Sequence, residues 1–537
     1  MLVLVTINFT YSQNTIGTTK IQNGVFDGFT LFTASTETYL INNCGEVINQ
    51  WSSDYPPGNA VYLLENGSIL RAGRTESENI AFGGQGGVIE IFDWQGNLTW
   101  QYLYDTSLMR QHHDIHPMPN GNVLILAATK LSNTEAIELG RNPALLTETY
   151  LYSEQIIEVT PIGLNNATIV WEWNAKDHIV QDFNVTKDNF GDVSLSPEKL
   201  NINFLNGGSS GANWLHFNSI FYNPVLDQIV MSSRNLSEIY IIDHSTTSTE
   251  SASDTGGIYG KGGDLLYRWG NPQSYLQGSE SDRKLYGQHS AYIIEPGLMD
   301  ENKIMLFNNG SDRTPLFSEV FILNPETDSP GVYTYHPNTT YSPASPDYSY
   351  QHPTSPSDFF SRIVSSAQRL PNGNTLICEG INGRFFEITA EERVVWEYIN
   401  PVNTANGNIV SQGTPSSTFS NTSFRAKKYS KDYPAFLGKI LTPSEPIELN
   451  PDVTLCQSLN VINYESSSVT LYPNPTKGQV KIVSRTTINK VEIYNVLGKK
   501  VYTTTLDTID LSNYANEIYF LKIYTSNAII TKKLIKN

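Results

Sequence analysis

Residues 370–396 read LPNGNTLICEGINGRFFEITAEERVVW. Asn372-Gly373 is a turn signal, because these two residues accept the left-handed backbone that tight connections require. Apolar runs too short for helices follow it, one ending in Glu387-Ile388 and the next in Trp396. The same unit recurs upstream. ENGSIL and VIEIFDWQGNLTW lie in Tyr62 to Trp100, and PNGNVLIL and IIEVTPIGLNNATIVWEW in Pro117 to Trp173. Looser copies run from Asn213 to Trp269 and from Gln288 to about Tyr335, where VYTYH reads as the last strand. A sixth, partial copy is YLINNCGEVINQW, Tyr39 to Trp51.

Four short strands per unit, with short apolar runs and turn signals between them, predict an all-β fold and a six-bladed β-propeller. A stacked solenoid is the alternative. Three long segments interrupt the repeat: Thr129 to Glu154, Ala175 to Asn213, and the Pro/Ser/Tyr-rich stretch 334–358. These are expected to be surface loops that border a binding site or are simply solvated.

Composition excludes several classes. The 537 residues are 39% hydrophobic and 16% charged with 38 Gly and 27 Pro, a turn-rich profile unlike a coiled coil or a disordered chain. A net charge of −18 argues against a nucleic-acid or anionic-membrane partner. Residues 466–537, however, carry ten Lys/Arg against four acids, which marks a separate C-terminal module. No apolar run is long enough to span a membrane. Residues 1–13 read as the end of a secretory signal peptide whose start is missing, with a buried strand as the alternative. Three scattered cysteines define neither a disulfide scaffold nor a zinc site, and leave open whether Cys44 pairs with Cys378.

Counting seven residues back from the turn residue gives Asn59, His113, His216, His289 and Ser365 in five units. Three of nine histidines therefore share one repeat position, at the start of the channel-lining strand, and are expected to converge. Asn218, two residues beyond His216, should share its strand face, and Arg234 ends the next strand. Three imidazoles, an amide and a guanidinium suit a tetrahedral oxyanion such as sulfate or phosphate. A His₃ metal site is the alternative, opposed by the arginine and by the lack of a nearby carboxylate, since Asp114 should face the other way.

In HHDIHPMPNGNVLIL, NWLHFNSIFYNPVLDQIVMSSR, YGQHSAYIIEPG, MLFNNG and RLPNGNTLICEGINGRFFEI the chain resembles the bacterial aryl-sulfate sulfotransferases, over roughly residues 60–442. The resemblance implies a six-bladed propeller that moves sulfuryl groups between phenols without a nucleotide or metal cofactor. It implies that His289 accepts the sulfuryl group, that His216, Asn218 and Arg234 bind it and stabilise its transition state, and that His113 is the acid/base. His112 and His116 are expected to support these residues, and the run from Asp177 to Asp182 to form a capped loop. About 40 residues precede the first repeat, so a separate N-terminal β-sandwich is expected to be absent.

LYPNPTKGQV, VEIYNVLGKKVY and IDLSNYANEIYFLKIYT resemble the type A sorting domain of type IX secretion cargo, a small β-sandwich. The expected organisation is a truncated signal peptide over 1–13, the propeller over 14–442, a linker over 443–465 and the sorting domain over 466–537. The partners implied are a phenolic sulfate donor, a phenol acceptor and the type IX machinery, with a secreted or cell-surface location. A non-catalytic secreted binding propeller and a sulfatase-like hydrolase are the other readings.

Overall fold

The computed structural model describes residues 14–206, 211–456, 469–484, 487–525 and 529–537. The expected signal segment 1–13 and residues 457–465 of the expected linker lie outside the described residues. The chain divides into two compact units, Met1–Pro451 and Asp452–Asn537.

Among the described residues the first unit is built around six antiparallel sheets of at least four strands. The first comprises Pro57–Leu63, Ile69–Arg74, Gly87–Phe92 and Leu98–Leu103. The second comprises Met109–Pro117, Val123–Ser132, Tyr150–Ile162 and Asn166–Asn174. The third sheet begins with Phe217–Asn223, the fourth with His289–Ile293 and the fifth with Ser366–Arg369. The sixth pairs Ala426–Ser430, from late in the unit, with Gly28–Ala34, Glu37–Ile41 and Val47–Ser52. In exchange, Gly17–Ile21 adds a fifth strand to the fifth sheet.

Each sheet buries one face against the next. Leu70 and Ile89 of the first meet Ile125 and Ile157 of the second. Phe29 and Leu40 of the sixth meet Val61, Ile69 and Phe92 of the first. The tryptophans that end the repeats staple these layers, since a buried indole N–H must find an acceptor. Trp51 donates to Asp93 O, Trp100 to Asn166 O, Trp173 to Gly263 O, Trp269 to Pro343 O and Trp396 to Asn43 O, all at 2.7–2.8 Å. The turn dipeptides are explained equally directly. Asn66, Asn120 and Asn372 accept the amide two residues on, and the glycine that follows each has φ of 86–88°.

Two expectations are corrected. The fourth sheet ends not with VYTYH but with Tyr348–Tyr350, inside the stretch taken for a loop. Tyr350 earns that place by packing on Phe359 and Phe386, whereas Val332–Tyr333 forms a small hairpin with Thr327–Ser329. Nor is Thr129 to Glu154 all loop. Val123–Ser132 and Tyr150–Ile162 extend as one long hairpin, joined through a helix at Asn133–Glu138 that Ser132 and Glu135 cap reciprocally. Cys378 is a free, buried thiol and does not pair with Cys44.

In the second unit, a sheet of Val469–Tyr472, Gln479–Ser484 and Thr508–Asp510 and a sheet of Ile488–Tyr494, Lys500–Thr504, Ile518–Thr525 and Ile529–Ile535 share one apolar core. No helix among the described residues is long and apolar enough to cross a membrane.

Candidate active site

The strands that begin the sheets slip register near their starts, between Gln111 and Ile115, between Phe217 and Ser219, and between His289 and Tyr292. In or just before five of these first strands one residue takes a left-handed backbone, which re-aims its side chain: Asn59, His113, His216, Ser290 and Ser365, with φ of 88°, 51°, 50°, 56° and 88°. His113 and His216 are therefore equivalent, as expected, but His289 precedes the equivalent position by one residue. The reason is the connection after its strand. It spans ten residues, 294–303, against five after the His113 strand, so counting back from Pro296 misses by one. The same-face argument for Asn218 fails likewise, because the slip lies between Phe217 and Ser219.

The structure brings the three histidines and Arg234 into one electrostatic neighbourhood. His113 and His216 stand edge to face with ring centroids 4.8 Å apart. The Asn213 amide donates to His216 Nδ1 at 2.7 Å, which leaves the proton of the neutral ring on Nε2. His289 is held the opposite way. Its Nδ1–H donates to Asn309 Oδ1 at 2.8 Å and to Gly287 O at 3.1 Å. Asn309 is itself oriented by donating to Ser361 O and Val364 O at 2.7 and 2.9 Å. His289 Nε2 consequently carries a lone pair, approached only by the Val364 N–H at 3.3 Å.

Burial and mutual proximity keep these rings neutral. His289 is pushed down to about 3, by burial first and then by Arg234, against the opposing hydrogen bonds to Asn309 and Gly287. His113 is held well below the ordinary histidine range by burial, His216, His112, His289 and Arg234. His216 is lowered by burial, Arg234, His112 and His289. No salt bridge to Arg234 occurs among the described residues; its Nη1 donates to Asn235 Oδ1 at 3.0 Å. Asn218, fully buried, gives one amide hydrogen to Gln288 O at 2.6 Å and thereby ties the His216 strand to the residue before His289. Among the described residues no group of three or more His, Cys, Asp or Glu is arranged to hold a metal ion.

Several neighbours escaped sequence reasoning. Residues 75–86 fold over the cluster: the Phe82 ring lies 4.9 Å from His112 and 5.4 Å from His216, and the Gly84 carbonyl accepts the His113 N–H at 2.7 Å. A Cβ at Gly84, where φ is +81°, would fall 2.0 Å from the His113 ring, so only glycine fits. A carboxylate is also closer than expected, since Glu154 Oε2 lies 2.8 Å from His112 Nε2. Asp114 does face away, paired with Arg425 at 2.8 Å. His116 packs between Tyr62 and Phe221. His178 is locked onto Asp264 and Ser251 O, which makes its segment a structural one.

The class of protein is an all-β scaffold that brings neutral imidazoles and a guanidinium with no ion pair among the described residues into one buried site. The particular family follows from comparison with known proteins. A model of Arylsulfotransferase (ASST) matches residues 19–425, and the chain belongs to that family, which supports a sulfotransferase-type function. A model of the secretion system C-terminal sorting domain matches residues 470–537, so the chain carries a type IX sorting domain and is exported to the cell surface or beyond. No curated protein matches. Distant likenesses to solved structures include a protein of unknown function from Bacteroides caccae, 12% identical over 69% of this chain and 93% of that one with a TM-score of 0.37. A virginiamycin B lyase from Staphylococcus aureus is 11% identical over 72% and 88% of the two chains, with a TM-score of 0.30.

Proposed function

We propose that the chain is an aryl-sulfate sulfotransferase acting by a ping-pong mechanism through a sulfohistidine. The observation that carries this reading is the state of His289: neutral, its Nδ1–H committed to Asn309, and its Nε2 a lone-pair acceptor, met by the Val364 N–H at 3.3 Å, in the field of Arg234. The sulfuryl oxygens of a phenolic sulfate ester rest against Arg234, the Nε2–H of His216 and the second amide hydrogen of Asn218. His289 Nε2 forms the N–S bond as the aryl O–S bond breaks, and His113 delivers a proton to the departing phenolate oxygen. A phenol acceptor then reverses these steps. No metal or nucleotide takes part.

The scaffold we infer is a six-bladed propeller over residues 14–442, supported by six successive sheet-on-sheet cores. Residues 443–465 then serve as a linker and 466–537 as the sorting domain.

The test incubates the protein with a chromogenic phenyl sulfate, with and without an acceptor phenol, and follows it by intact mass after an alkaline quench. Acceptor-dependent phenol release with one sulfuryl group on the His289 peptide is the expected result. Release without acceptor would establish a hydrolase instead, and no release with any aryl sulfate would leave a binding propeller.

A further inference from the structure

The transfer reaction poses a problem that His113 alone does not solve. A phenolate leaving group needs a proton, yet His113 is buried among positive and potentially positive neighbours that disfavour its own imidazolium form. A neutral imidazole is a poor acid unless another group refills its proton as it is given away.

The groups that could refill it are in line. His112 and His113 are adjacent on a strand, but the bulge turns their rings toward each other, with the two Nδ1 atoms 2.9 Å apart. The far nitrogen of His112, Nε2, meets Glu154 Oε2 at 2.8 Å. The other oxygen of Glu154 accepts the Phe217 N–H at 2.9 Å, so the carboxylate is fixed between the second and third sheets. Both His112 and Glu154 are 1% exposed. Phe82 covers the edge of the pair, and His113 and His216 are the titratable rings that His112 acts on electrostatically.

We propose that Glu154 and His112 store the proton that His113 delivers, so that both act on the reaction through His113. With a proton on each nitrogen of His112, the ring balances the Glu154 carboxylate and donates from Nδ1 to His113 Nδ1. That leaves His113 with its hydrogen on Nε2, facing the substrate. As the aryl O–S bond breaks and its electron pair passes to the phenolate oxygen, His113 Nε2 gives up its proton to that oxygen. The His112 Nδ1 proton moves to His113 Nδ1 in the same step. His112 ends neutral with Nε2–H on Glu154, and His113 ends neutral with its lone pair on Nε2, ready to take the proton of an incoming phenol. Positive charge never rests on His113.

This inference depends on the sulfotransferase reading, and its test separates the two. Glu154→Gln keeps the acceptor for Phe217 N–H but presents an amide hydrogen to His112 Nε2, which removes the counter-charge and forces the wrong tautomer. Transfer from phenyl sulfate, whose phenolate needs a proton, should fall about 100-fold in kcat, whereas 4-nitrophenyl sulfate, whose phenolate leaves unaided, should fall no more than about 10-fold. Glu154→Asp should restore part of the loss. Equal falls with both donors would mean a merely structural role and overturn the proposal. Independently of turnover, ¹⁵N spectra of the histidine-labelled protein should show both His112 nitrogens protonated in the native chain and one in Glu154→Gln. A neutral His112 in the native chain overturns the proposal even if transfer is intact. Absence of transfer by the native chain, with the His112 signature present, would instead defeat the sulfotransferase reading.

Discussion

Two histidines of this molecule are both largely buried and yet opposite in charge. His244 sits between Asp227 Oδ1 at 2.7 Å and Glu158 Oε2 at 3.0 Å. Burial pulls it down, but the hydrogen bonds and charges of the two carboxylates outweigh that and raise it to about 9. His289 has an amide and a carbonyl where His244 has carboxylates, and a guanidinium nearby, and is lowered to about 3. Burial alone does not decide protonation; the formal charge of the hydrogen-bond partner does. His244 is thereby a cation that joins the second and third sheets, and His289 a neutral ring whose Nε2 is a lone-pair acceptor.

The largest test of this contrast removes the guanidinium. Arg234→Leu should lower kcat about 100- to 1000-fold, the range seen when one preorganised oxyanion donor is lost. Because Arg234 also pushes His289 and His216 down, its removal lets both move back up. The acid limb of the kcat/KM profile should therefore shift to higher pH in the variant. A loss of rate with an unmoved acid limb would mean that Arg234 binds substrate without setting the charge of the histidines.

A smaller effect is expected from the other side. Asp227→Asn keeps an acceptor for His244 Nδ1–H and removes one negative charge, leaving Glu158 in place. Since the folded value of about 9 lies above the unfolded 6.5, this stabilisation is complete below pH 6.5 and is lost as pH rises to 9. The variant should be destabilised by about 1–2 kcal/mol at pH 6. Its Tm should approach that of the native protein near pH 9, with transfer activity unchanged. A Tm gap that stays constant over this range would show that His244 does not carry the charge.

What could be read from the sequence divides along physical lines. The turn dipeptides, apolar runs and terminal tryptophans mark all six sheets, the sixth only in part, because each is dictated by local conformation or by an obligatory indole partner. Ala426–Ser430 went unseen because Lys427 and Lys428 break its apolar pattern, and Lys428 finds its ion-pair partner in Glu387, 41 residues away, at 2.8 Å. His113 and His216 were found by register, since the left-handed backbone that aims them recurs with the repeat. His289 was reached by a count that its long connection makes one residue wrong. Glu154, Asn309 and Phe82 carry no local signature. Each acts on a ring 20 to 134 residues distant, and only the packing of neighbouring sheets and the 75–86 loop reveals it.

The neutral cluster also acts on the stability of the fold itself. A histidine that stays neutral in the folded chain down to about pH 3, but titrates at 6.5 when unfolded, lets the unfolded state bind the extra proton throughout that interval. Stability is then full above pH 6.5 and falls as pH drops toward 3, by up to about 1.4 kcal/mol per pH unit for each such ring. His289→Asn deletes one of these liabilities while keeping a polar side chain beside Asn309. Its Tm should decline less steeply than that of the native protein between pH 6.5 and 5, while at pH 8 the two differ only by the lost packing. His244 works in the reverse sense, so Asp227→Asn and His289→Asn should bend the stability profile in different pH ranges. Parallel profiles for native and His289→Asn would mean that His289 titrates in the folded chain as it does when unfolded, so that below pH 6.5 it carries a proton and loses the lone pair on which the proposed attack at sulfur depends.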